Sequence, residues 1–196
     1  NEPLGTMVGN ALEVQEAIQV LKGEGEPRLT QVAMTLAAYM VMGAGIAQTK
    51  EEAWSMLQTT IDSGTALEKF AAFVQAQGGD PEYVYHPEKL PRAAIQEMVY
   101  PETSGYLTAC KNSEVGMASL ILGGGRVTKE SVIDLTVGIQ LFAHLGDPVS
   151  KEKPFACLYG NDPAKVAEAK SRLLQAYTIE KTPVSPKPVI CEVILE

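Results

Sequence analysis

An α+β fold is the class this sequence predicts, and three observations predict it. Apolar residues recur at three- and four-residue steps through the first 76 residues, with Gly and Pro confined to the breaks. The stretch that follows, AQGGDPEYVYHPEKLP, holds two glycines and three prolines in a polar setting. Beyond it, runs rich in strand-type residues alternate with helical ones.

Taken in order, Asn10 is expected to cap a first helix, with Glu13 completing a capping box and Gly23 and Gly25 ending it. A second helix, Leu29 to Met42, is rich in Ala and Met, and Gly43 and Gly45 close it. A third, Glu51 to Ile61, and a fourth, Thr65 to Gln75, complete a helical subdomain over residues 1–76. Regular structure is not expected to cross Gln77 to Pro91, so residues 77–93 are predicted as a linker. In residues 94–196, Ala94 to Tyr100, Gly105 to Lys111 and Val189 to Leu195 read as strands, the last from the alternation VICEVIL. Helices are predicted at Glu114 to Leu122 and Asp162 to Tyr177, the latter capped by Asp162 with Pro163 in its first turn.

The 45% hydrophobic content suffices for a packed core. Sixteen Lys and Arg against 24 Asp and Glu leave a net charge of −8, which disfavours a nucleic-acid partner. No apolar run reaches the roughly 20 residues of a membrane span, and Asn1-Glu2-Pro3-Leu4 lacks a signal-peptide pattern. The expectation is a soluble, cytoplasmic protein without membrane partners. Cys110, Cys157 and Cys191 are unpatterned and are expected to be reduced and buried.

Three stretches could carry chemistry. In PLGTMVGNALEVQEAIQVLKGEG, Val14, Ala17, Ile18 and Leu21 form one apolar face of the first helix, while Leu12 and Val20 flank Glu16 on the other. A carboxylate in such a stripe needs a partner or a cation, and the Gly-rich turn before the helix offers carbonyl ligands. The alternative is that Leu12 and Val20 are half exposed and Glu16 is solvated. In LILGGGRVTKES, a glycine-rich turn precedes Arg126; it reads either as an anion cradle or, more simply, as a helix C-cap. In HLGDPVSKEKPFACLYGND, Gly146-Asp147 reads as a hairpin turn, and His144 lies near Asp147 and Cys157 in sequence without other support for a Cys/His pair. His86 and His144 read as ordinary surface or core residues.

Five ordered motifs then carry a resemblance. They are PLGTMVGNALEVQEAIQVLKGEG, SGTALEKFAAFVQAQGGD, SGYLTA, GMASLILGGGRVTKESVIDLTVGI and LGDPVSKEKPFACLYGND. Together they resemble the C-terminal half of pyrimidine-nucleoside phosphorylases, with thymidine phosphorylases as close relatives. The resemblance implies that residues 1 to about 90 form the helical end of an α/β phosphorylase domain. A hammerhead-like, barrel-sandwich C-terminal domain would follow. It implies reversible phosphorolysis of pyrimidine nucleosides to free base and (deoxy)ribose 1-phosphate. The phosphate-binding loop and base-binding residues of that family precede the equivalent of Asn1, so no catalytic residue is carried over. It also implies a potassium ion whose ligands include the carbonyls of Leu4 and Met7 and the side chain of Glu16, and a homodimer for the full-length enzyme. Glu152 and Phe155 depart from the family's usual Gly and Leu. No lysine stands in a carrier-type setting, so covalent cofactor attachment is not expected. A non-catalytic binding or assembly module of the same fold is the competing expectation.

Overall fold

The computed structural model describes residues 2–194 and divides them into two compact units. One comprises residues 2–14 with Pro91–Lys187; the other comprises Gln15–Leu90 with residues 188–194. The crossing at Leu90/Pro91 falls inside the expected linker, but residues 2–14 pack with the mixed unit rather than with the helices that follow them.

The helical unit is built from α1 (Asn10–Leu21), which begins in the other unit, α2 (Pro27–Gly43), α3 (Lys50–Asp62), α4 (Thr65–Ala76) and the short α5 (Glu82–Tyr85). Side chains satisfy the free N–H groups of the helix starts. Glu26 accepts from Leu29 N at 2.7 Å to open α2, and Thr49 accepts from Glu52 N at 3.1 Å to open α3. The small core joins Ala38 of α2, Ala47 of the loop that follows it and Ala53 of α3 with Val41, Met42 and Leu57. The expectation of an irregular linker over Gln77 to Pro91 is corrected here. Helix α5 and a 3₁₀ turn at Pro87–Lys89 occupy it, because Val84 is buried and Asp80 accepts from Glu82 N at 2.9 Å.

The mixed unit holds two antiparallel sheets. In the first, the strand order is β1-β4-β6-β2, with β1 (Met7–Gly9), β2 (Ile95–Val99), β4 (Gly138–Leu141) and β6 (Ala156–Gly160). In the second it is β5-β3-β7, with β3 (Gly105–Cys110), β5 (Pro148–Val149) and β7 (Tyr177–Glu180). Helices α6 (Asn112–Leu122) and α7 (Pro163–Ala176) pack together and share one core with both sheets, in which Leu107, Ile139, Leu158 and Leu173 are fully buried. Asp162 caps α7 as expected, accepting from Ala164 N at 2.8 Å.

Three strand expectations are corrected. Residues 189–194 form no strand, and Leu195 lies outside the described residues. Instead Tyr177 leaves the predicted helix and opens β7, whose Tyr177 and Ile179 turn inward against β3. Cys191 is exposed in consequence, unlike Cys110 and Cys157. Gly146-Asp147 is not a two-residue hairpin, since β4 and β5 belong to different sheets and the turn carries the chain from one to the other. Phe155, at the departure from the family pattern, is buried edge-on to the Tyr177 ring at 5.4 Å.

Candidate functional site

The first motif folds as strand, turn and helix, and glycine makes the turn. Gly9 has φ of +143° and pairs with Gly138 across β1 and β4. Gly9 N–H donates to Glu13 Oε1 at 2.9 Å, so the capping interaction sits one residue earlier than expected. Asn10 is not the cap; its Nδ2 donates to Gly124 O at 3.0 Å, and Ala11 N–H donates to Leu135 O. The Leu135 carbonyl thus takes one free N–H of this helix start and the Glu13 carboxylate takes the N–H just before it.

The predicted ligands are placed as follows. Leu4 is exposed in the bend before β1. Met7 is buried at the start of β1, opposite Gln140. Leu141 N–H donates to Thr6 O at 2.7 Å, which makes Thr6/Leu141 and Val8/Ile139 the hydrogen-bonded pairs. Met7 is then a non-bonded pair, and its carbonyl points away from β4 at the sheet's outer edge. Glu16, on the second turn of α1, is only 5% exposed. Glu16 and Val20 are buried on one side of the helix and Ile18 on the opposite side, while Val14 and Ala17 are exposed, so the solvated reading of Glu16 does not hold.

The glycine-rich turn after α6 is a C-cap. Gly123 has φ of +109°, its N–H donates to Leu120 O, and Gly124 N–H donates to Ser119 O at 2.9 Å. Asp134 N–H and Asn10 Nδ2 take the carbonyls of Gly123 and Gly124, so the N–H and C=O groups of both glycines are used within the fold, as a C-cap requires.

The third stretch forms no nucleophile pair. His144 Nδ1 lies 3.5 Å from Glu2, while Cys157 is fully buried on β6 between Gln140 and Met98. Burial pushes the Cys110 and Cys157 thiols up, which keeps them protonated and unreactive. His86 pairs on the surface with Glu82 and Glu88. Among the described residues no three His, Cys, Asp or Glu side chains cluster as a metal site.

One polar cluster escaped sequence reading. Asp134 accepts from the Thr136 hydroxyl at 2.7 Å, from Thr136 N at 3.0 Å and from Asn161 Nδ2 at 2.7 Å, and Asn161 Oδ1 accepts from Ala94 N. The Thr136 hydroxyl foremost, then its N–H and the Asn161 amide, hold the Asp134 carboxyl below its usual range. A depressed carboxyl stabilises the fold above the unfolded pKa, near 4, and that contribution is lost as pH falls through the folded value. Asp134→Asn is therefore expected to lower stability at pH 7 by about 1 kcal/mol, with the difference shrinking in urea melts near pH 2.5. A gap that is unchanged at low pH would show that the charge contributes nothing.

Residues 106–180 match the family described as the pyrimidine nucleoside phosphorylase C-terminal domain. Over 186 residues the chain is 45% identical to a pyrimidine-nucleoside phosphorylase of Staphylococcus aureus (strain bovine RF122 / ET3-1), covering 95% of this chain and 43% of the relative. A second relative of the same name, from strain MSSA476, is 43% identical over all 196 residues, which cover 45% of it. The chain thus spans less than half the length of these curated relatives.

Proposed function

Because this chain belongs with the C-terminal portion of the pyrimidine-nucleoside phosphorylases, we propose that it is that part of an enzyme of reversible phosphorolysis. The observation that carries the reading is the match along the whole chain at 43% identity. In the reaction a phosphate oxygen bonds to the sugar's anomeric carbon as the bond to the base nitrogen breaks. Products are a (deoxy)ribose 1-phosphate and the free base, which makes the enzyme a pentosyltransferase. Phosphate is itself the nucleophile, so the protein's work is positioning and stabilising charge. Nothing in this reaction requires the protonated, buried thiols.

We assign this chain a supporting part, with the carbonyls of Leu4 and Met7 and the carboxylate of Glu16 as ligands of a potassium ion. The donor chemistry fits: the Met7 carbonyl points off a sheet edge, Glu16 is a buried carboxylate, and hard cations favour oxygen. When bound, such an ion supplies fixed positive charge toward phosphate. Asn10 and Glu13 tie the start of α1 to Gly124 and Gly9. A homodimeric, cytoplasmic full-length enzyme completes the proposal. No helix among the described residues is long and apolar enough to cross a membrane.

The test is base release from thymidine or uridine plus phosphate. The 196-residue chain alone is expected to show no turnover, and the same chain fused behind the unmatched N-terminal portion of the S. aureus relative is expected to be active. Enzyme-like turnover by the chain alone would place catalysis within it. An inactive but folded fusion would favour the non-catalytic module.

A further inference from the structure

We propose that the outer face of α2 is the seat of the N-terminal portion that relatives of this chain carry, a surface completed only by docking of that portion. The inference rests on the reading above of this chain as a C-terminal portion. It starts from the composition of α2 and the loop after it. No charged residue stands between Arg28 and Lys50, and the helix is apolar on two opposite sides. One side, with Met34, Ala38, Val41 and Met42, turns inward, where Ala38, Val41 and Met42 meet Ala53 and Leu57 of α3. The other carries Ala33, Leu36, Ala37, Met40 and Gly43 at steps of three and four, which places them along one stripe.

That second stripe is open. Leu36 is 56% exposed and Met40 is 72% exposed, and Ile46 just past the helix end is 60% exposed. Single exposed apolar side chains need no explanation, but a continuous stripe on a helix whose sole charge is Arg28 at its start marks a surface that is covered in use.

What covers it follows from length and charge. More than half of each curated relative lies outside the matched region, N-terminal to it, and that portion is available as a cover. A second copy fits less well, since each copy brings a net charge of −8. A lipid surface also fits less well, because an interfacial helix sets Lys and Arg opposite its apolar face and α2 has only Arg28, at its start.

Thiol labelling tests the proposal. In a Cys191→Ser background, Leu36→Cys and Met40→Cys report on the stripe, and Glu168→Cys, on the exposed side of α7, is the reference. Each is compared in the 196-residue chain and in the fusion with the N-terminal portion of the S. aureus relative. Joining that portion is expected to slow maleimide labelling at positions 36 and 40 by at least about tenfold and to leave position 168 unchanged. Equal rates in both forms overturn the proposal. So does protection in the isolated chain that grows with its own concentration, the mark of a second copy, or protection by phosphatidylglycerol vesicles. Phosphorolysis measured on the same fusion separates the two readings. An active fusion with unprotected thiols defeats docking alone, and a protected but inactive fusion defeats the enzymatic reading alone.

Discussion

Gly138→Ala is expected to lower the unfolding free energy by roughly 2–4 kcal/mol, whereas Gly116→Ala should raise it by about 0.5–1 kcal/mol. The same added methyl has opposite effects because of what it meets. At Gly138 a Cβ would stand 2.5 Å from Val8 O and 2.8 Å from a Leu12 methyl, and the first of these is backbone that cannot rotate away. Gly138 faces Gly9 in a non-bonded antiparallel pair, the type with the closest Cα approach, so β1 and β4 come together only without side chains there. Relief would require β1 to leave the sheet edge, loosening the strand–turn–helix that carries Met7 and Glu16. Gly116 lies on the exposed side of α6 with nothing within 4 Å of its Cβ position, where alanine only reduces the freedom of the unfolded chain. Paired urea melts of the two variants measure this. Equal, small effects would mean that the β1/β4 contact yields without cost.

If Glu16 is the ligand proposed above, Glu16→Gln in the full-length context is expected to raise the KM for phosphate and weaken activation by potassium, each by at least about tenfold, since losing a direct ligand should cost no less than losing a supporting one. The amide keeps the size of a side chain that is 5% exposed while removing its charge, so packing changes little. Activity titrated with potassium chloride, against sodium chloride at equal ionic strength, reads the effect. Unchanged potassium activation with an unchanged KM would make Glu16 a structural residue of α1 and end the assignment of the ligand set.

Much of this molecule is legible one element at a time. Helices α2, α3 and α4 begin and end within two residues of where capping residues and glycines place them, and Asp162 caps α7, because caps and glycines act through bonds a few residues long. The five ordered motifs likewise suffice to suggest the family. Strand pairing is different in kind. VICEVIL alternates well, yet it is Tyr177–Glu180 that pairs with β3, because alternation specifies a face and only the partner edge decides whether a ladder forms. Strand β1, three residues long, is too short to show any period and exists because β4 offers it an edge. The Glu16 helix carries apolar residues on two sides, and its own sequence left open which of them turn inward. The surrounding chain buries Glu16 and Val20 on one side and Ile18 on the other while leaving Val14 at 42% exposure, since burial belongs to the surfaces that meet and not to either one alone.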